Sequence, residues 1–187
     1  MRRESGSAYS FAELAQLASA ETPFASLVLC NQPSFLNPDS MTLEIQRFCE
    51  ETGQPIPHTP GALARCIFDS LALSYRDALH ELQSLTNETV TKLHVVGGGA
   101  NNELLCQLTA DLLEIEVQAG PSESTAIGNI VVQLISSGAL GDLKAAGRTI
   151  ASSFPTRLYE PQSVEGMEEL LDRWKNLKIQ ATSLFTP

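Results

Sequence analysis

Basic residues are scarce in this sequence. Lys plus Arg number 12 against 22 Asp plus Glu, a net charge of -10. Without a basic face, neither nucleic acid nor an anionic membrane is an expected partner, and the acidity reads as serving solubility. A run of ~20 apolar residues, the length of a membrane-spanning helix, is lacking. Met1–Gly6 also lacks the apolar core of a secretion signal, so the expected location is the cytoplasm. Cysteine occurs only at Cys30, Cys49, Cys66 and Cys106, without a Cys-x-x-Cys pair, and His58, His80 and His94 are scattered. No metal cage is expected, and each cysteine reads as a small buried apolar side chain. Internal repeats and low-complexity linkers are absent. Two familiar glycine motifs are absent as well: a turn ending in Gly-Lys-Ser/Thr, which would grip a triphosphate, and Gly-x-Gly-x-x-Gly.

What is present is enough for a folded core. A chain of 187 residues with 43% hydrophobic composition can bury one sizeable core or two small ones. Phe11 to Ala20 reads as a short helix, and Pro23, Pro33 and Pro38 make residues 1–40 a loop-rich lead-in. Asp39 and Ser40 can cap a helix with Met41, Ile45 and Phe48 at helical spacing, ending near Gly53. Thr59 and Pro60 start another, whose stripe Leu63, Ile67, Leu71, Tyr75, Leu79 and Leu82 predicts a long helix buried along one side. The weakest boundary, near residues 55–60, is not read as a domain break. A strand at Leu93 to Val96, a helix with Leu104, Leu105, Leu108 and Leu112, a strand at Ile115 to Val117 and a helix from Ala126 to Ile135, stopped by Gly138, form an α/β layer over 41–160. Val164, Met167, Leu170, Leu171, Trp174 and Leu177 share one face of a C-terminal docking helix over 163–180. The three parts are expected to belong to a single domain over 1–187.

Between the first strand and its helix lies Gly97-Gly98-Gly99-Ala100-Asn101-Asn102. Three glycines remove every Cβ from the turn, so a planar group can lie against bare peptide, and the first N–H groups of the next helix point outward. In an α/β layer the ligand is expected beyond the carboxyl end of that strand. With no phosphate-gripping lysine, the turn suits the base or ribose end of a nucleotide. A glycine turn also occurs simply to reverse the chain. A dinucleotide-binding oxidoreductase or a methyltransferase would need an acidic residue closing the second strand, which instead ends in Gln118-Ala119-Gly120.

Five ordered blocks make a more specific signal: Phe35–Met41, Phe48–Pro55, Ala64–Leu73, Val96–Asn102, and Ala119–Pro121 with Gly128–Ile130. Together they resemble the FGGY carbohydrate kinases, and within them the rhamnulokinase branch, from about Phe11 to Phe154. The resemblance implies a two-domain kinase of the actin-like, ribonuclease-H-like ATPase fold that closes around sugar and ATP with Mg²⁺ and phosphorylates the 1-hydroxyl of L-rhamnulose. It places adenine and ribose at the turn, with Gly98 and Gly99 as backbone walls, Asn102 as a polar contact, and Gly97 and Ala100 in the same turn. Mg²⁺ is expected to arrive with the nucleotide, with no protein ligand. Only the C-terminal portion of such a kinase is matched. The upstream segment with the general-base aspartate and the sugar-binding lobe has no counterpart, so no catalytic residue is assigned and the chain alone is expected to be inactive. Asp69, Asp111, Glu114 and Glu123 read as solvated helix-face carboxylates.

An alternative is a stand-alone, non-catalytic nucleotide-binding or interaction module of the same fold; another is an FGGY kinase for fuculose or xylulose. Cys49 and Cys66, on helices joined by a short connection, are expected to approach each other, either as two buried thiols or as a crosslink. Uncovered strand edges and apolar helix faces suggest a homodimer, with the Trp174 helix available to cover the gap within the chain or across the dimer.

Overall fold

Five helix starts along this chain are set by capping side chains. In a computed structural model, which describes residues 8–185, the elements run α1 (Phe11–Ser19), α2 (Met41–Glu51), α3 (Pro60–Thr86), β1 (Lys92–Val95), α4 (Glu103–Leu113), β2 (Glu116–Ala119), α5 (Ser124–Ser136), α6 (Leu143–Ser153), β3 (Arg157–Tyr159) and α7 (Met167–Phe185). The Met1–Gly6 reading lies outside the described residues. Ser10, Ser40, Thr59, Asn102 and Asp142 each accept an N–H from the first turn of the helix that follows. Caps of this kind contribute about 1 kcal/mol each, and α3 also takes Pro60 at its first position.

The chain divides into two compact units, 1–88 with 163–187, and 89–162. No division falls at residues 55–60, because the helices on either side share a core. Phe48 and Cys49 of α2 and Cys66 of α3 are buried, the Cys66 thiol hydrogen-bonds Cys49, and Gln46 Nε2 donates to the Pro57 carbonyl at 2.9 Å. All three strands described lie in the second unit, 89–162.

In the first unit α3 is the central element, but its buried face is not the stripe of large aliphatics. Leu63 and Leu79 are buried, whereas Tyr75 and Leu82 are exposed and Ile67 and Leu71 only half-buried. The buried face runs instead through Leu73 and through Ala64, Cys66, Ser70 and Ala72, four small side chains that let neighbouring backbone come close. At Gly61 the approach is closest, since a Cβ there would sit 3.0 Å from the Leu17 carbonyl oxygen of α1.

Asp69 is not on a solvated face. Its carboxylate is 0% exposed, pairs with Arg65 Nε at 2.8 Å, and accepts the Phe24 N–H at 2.5 Å, where Phe24 holds a left-handed φ of 54°. Burial pushes the Asp69 pKa up, and the Arg65 guanidinium and the Phe24 N–H offset part of that desolvation. Asp111 is half-buried, accepting from Gln107 Nε2 at 2.7 Å and the Gln162 N–H at 2.8 Å. Glu114 and Glu123 are exposed, at the ends of α4 and α5.

Helix α7 docks within this unit through Leu170, Trp174, Leu177 and Ala181. Trp174 Nε1 and Lys178 Nζ both donate to Asp77 Oδ2 of α3, at 2.8 and 2.7 Å. Val164 precedes the helix rather than lying on it. All four cysteines are free thiols.

The second unit is a three-stranded sheet, β1-β2-β3. β1 and β2 are parallel, with Leu93 opposite Val117 and Val95 opposite Ala119; β3 adds antiparallel, with Tyr159 opposite Val117. One face packs on α4 in a core of Cys106, Ala110, Val117, Ala119 and Tyr159, joined by Leu93, Val95 and Ala100. The strands start and stop one to two residues from the expected positions. β3 and α6 were not foreseen: one is three residues long, and the other is rich in small and polar residues.

Candidate functional site

At the carboxyl ends of β1 and β2 two turns meet. The first is the glycine turn. Gly97 adopts φ 76°, ψ -162°, a left-handed backbone that L-residues with a Cβ rarely adopt, and Gly98–Asn101 then close a short 3₁₀ helix. The second turn passes from β2 through Gly120 and Pro121 into α5. The two are tied together by main-chain bonds, Gly120 N–H to the Val95 carbonyl at 2.8 Å and Gly97 N–H to the Pro121 carbonyl at 3.1 Å.

The five residues singled out in the turn play different parts. Gly97 is a conformational requirement. Gly98 is not: its φ is ordinary, and a Cβ built on it meets nothing within 4 Å. Neither packing nor backbone geometry asks for glycine there, and the peptide faces open space. A Cβ at Gly99 would make ordinary contact with Val95 at 3.8 Å. Ala100 sends its methyl toward the core and also lines the adjoining cleft. Asn102 is committed in part to the fold, since its Oδ1 caps α4 by accepting the Leu105 N–H at 3.1 Å. Its Nδ2 amino group takes no part in that cap.

Beside the turn lies a cleft of about 340 Å³ lined by Ala100, Asn101, Glu103, Gly120, Thr156 and Arg157, among others. Glu103, in the first turn of α4, forms an ion pair with Arg157 of β3. A helix start that is already capped by Asn102 and carries a carboxylate is poorly disposed toward a phosphate; a neutral, hydrogen-bonding group suits it better. Beneath the turn the Cys106 thiol donates to the Gly99 carbonyl at 3.7 Å, and burial pushes its pKa up, so the donor proton is retained.

Two features were missed in the sequence. Arg157 had no signal, because β3 was not read. Ser124 sat in view as the serine after Pro121-Ser122-Glu123, and a serine at a helix start ordinarily reads as a cap; here its hydroxyl contacts the glycine turn instead. No three His, Cys, Asp or Glu side chains come together as a metal site among the described residues. None of the helices described is long and apolar enough to cross a membrane.

Comparison with known proteins adds ancestry to this geometry. Residues 1–137 match the model of the FGGY family of carbohydrate kinases, C-terminal domain. A rhamnulokinase of Enterococcus faecalis is 49% identical over 159 residues, 84% of this chain and 32% of the relative. One from Bacillus subtilis is 41% identical over 157 residues, with the same two shares. The chain thus spans about a third of the length of these relatives. Among solved structures, the xylulose kinase of Rhodospirillum rubrum superposes with a TM-score of 0.63 at 23% identity, over 93% of this chain and 34% of that one, which shows a shared fold. The α/β architecture, the glycine turn at the strand ends and a family match over residues 1–137 agree: the chain belongs to the FGGY family of carbohydrate kinases, whose C-terminal domain it carries.

Proposed function

We propose that this chain is the nucleotide-side part of an ATP-dependent sugar kinase that phosphorylates the 1-hydroxyl of L-rhamnulose, and that residues 97–102 receive the adenine and ribose. The observation that carries the reading is Gly98, a glycine needed by neither its backbone nor its neighbours, with open space where a Cβ would stand. A flat base needs such a side-chain-free wall, and the Asn102 amino group, its oxygen occupied by α4, is placed to donate to a purine nitrogen or a ribose oxygen. The choice of rhamnulose is supported by the rhamnulokinase relatives at 41–49% identity.

Phosphoryl transfer needs a base, charge neutralisation and an aligned acceptor. None of these is assigned to a residue of this chain, and among the described residues no three His, Cys, Asp or Glu side chains come together to hold Mg²⁺. Self-association is part of the proposal. The outer edge of β1 has no partner strand among the described residues, and α5 leaves Ile130 and Val132 more than half exposed.

Calorimetric titration of the chain with ADP tests the reading. Weak binding is expected, and its loss in Gly98→Val, where the isopropyl group fills the base position. An absence of heat in the wild type, or an unchanged affinity in a folded Gly98→Val variant, overturns it.

A further inference from the structure

We propose that Ser124 is the positioning residue of the glycine turn, holding Gly97 in its left-handed backbone so that Gly98 and Gly99 present bare peptide to the base. This rests on the nucleotide reading above. The Ser124 hydroxyl does two jobs at once. Its oxygen accepts the Gly97 N–H at 2.9 Å, and its proton goes to the Pro121 carbonyl at 2.8 Å, the same carbonyl that the Gly97 N–H also reaches at 3.1 Å. Gly97, Pro121 and Ser124 therefore form a closed ring of hydrogen bonds joining the turn after β1 to the turn after β2.

Such a ring constrains the turn more than either bond alone, because the serine cannot rotate without losing both its donor and its acceptor role. Its location at the first position of α5 sharpens the point. The cap residue Glu123 makes no side-chain bond to the helix it precedes, so α5 begins without local capping while the nearest hydroxyl is spent on the neighbouring turn. Ser124 lies one residue past the cap position, so its hydroxyl is free to serve the turn rather than the helix. Gly97 sits where glycine's flexibility would otherwise let the peptide of Gly98 swing. Fixing the Gly97 N–H fixes the plane of the preceding peptide, and the Ala100 N–H, donating to the Gly97 carbonyl at 3.1 Å, holds that of the next.

The test is calorimetric titration of the full chain with adenosine, AMP and ADP, for the wild type, Ser124→Ala and Ser124→Thr, alongside melting temperature and circular dichroism. Because the defect lies at the base end, Ser124→Ala should weaken all three ligands by one common factor of about tenfold, the scale of a lost hydrogen bond. The fold should be unaltered. Ser124→Thr, which keeps the hydroxyl, should return affinity to within about twofold of wild type. A folded Ser124→Ala with unchanged affinities overturns the proposal alone, as does a loss confined to ADP or one that threonine does not restore. No binding of any ligand by the wild type overturns the nucleotide reading itself, and the proposal with it.

Discussion

Two adjacent glycines separate conformation from ligand space. Gly97→Ala forces a Cβ onto a left-handed φ of 76°, at roughly 1–2 kcal/mol, so its melting temperature should fall by several degrees. Gly98→Ala meets open space and should melt close to wild type. Differential scanning calorimetry that finds the two equally destabilised would contradict this division of roles. Asp69 offers the opposite case of a polar residue with a purely structural part. Asp69→Ala leaves Arg65 buried without its carboxylate and releases the Phe24 N–H, a loss of about 3–5 kcal/mol, readable as a lowered urea midpoint. Arg65 and Asp69 lie one turn apart on α3, and the sequence shows them only as an ordinary i, i+4 charge pair. Their burial depends on the Phe24 loop folding over them.

At the level of elements, α7 is held by one aromatic side chain and one carboxylate. Trp174 is 3% exposed and is the chain's single tryptophan, so native fluorescence should be blue-shifted and poorly quenched by iodide. Trp174→Ala should cost about 3–5 kcal/mol. Asp77→Asn keeps an oxygen for the indole N–H and loses only the pair with Lys178, whose side chains are 42% and 43% exposed, so under 1 kcal/mol is expected. Urea titrations followed by that fluorescence check both, and a severe Asp77→Asn effect would give the ion pair a weight its exposure does not support. The amphipathic spacing of Leu170, Trp174 and Leu177 made this helix legible. The face buried on α3 was not, because small residues rather than the large aliphatics carry it.

For the whole molecule, the proposal separates binding from turnover. A coupled assay of the 187-residue chain should show no rhamnulose-dependent ADP release, since the proposal assigns neither the base nor the sugar pocket to its residues. Turnover above blank would sink this. Self-association through the open β1 edge and the α5 face predicts a dimer by light scattering, and a single monomeric mass at high concentration would remove that part of the proposal.

What the sequence determined by itself was local: the short helix from Phe11, the helix starts at Ser40 and Thr59, the order of strand, glycine turn and helix, and the family written in ordered blocks. Caps, turns and periodicity act over three or four residues, so neighbouring side chains decide them. The tertiary structure alone decided which features met. It buried Asp69, divided the chain at residues 88–89 and 162–163, and added β3 as an antiparallel edge carrying Arg157 toward Glu103. It also set the Ser124 hydroxyl on Gly97, 27 residues back along the chain. The reason is physical: burial and long-range hydrogen bonds depend on which segments share a core, and that is settled only when the chain packs.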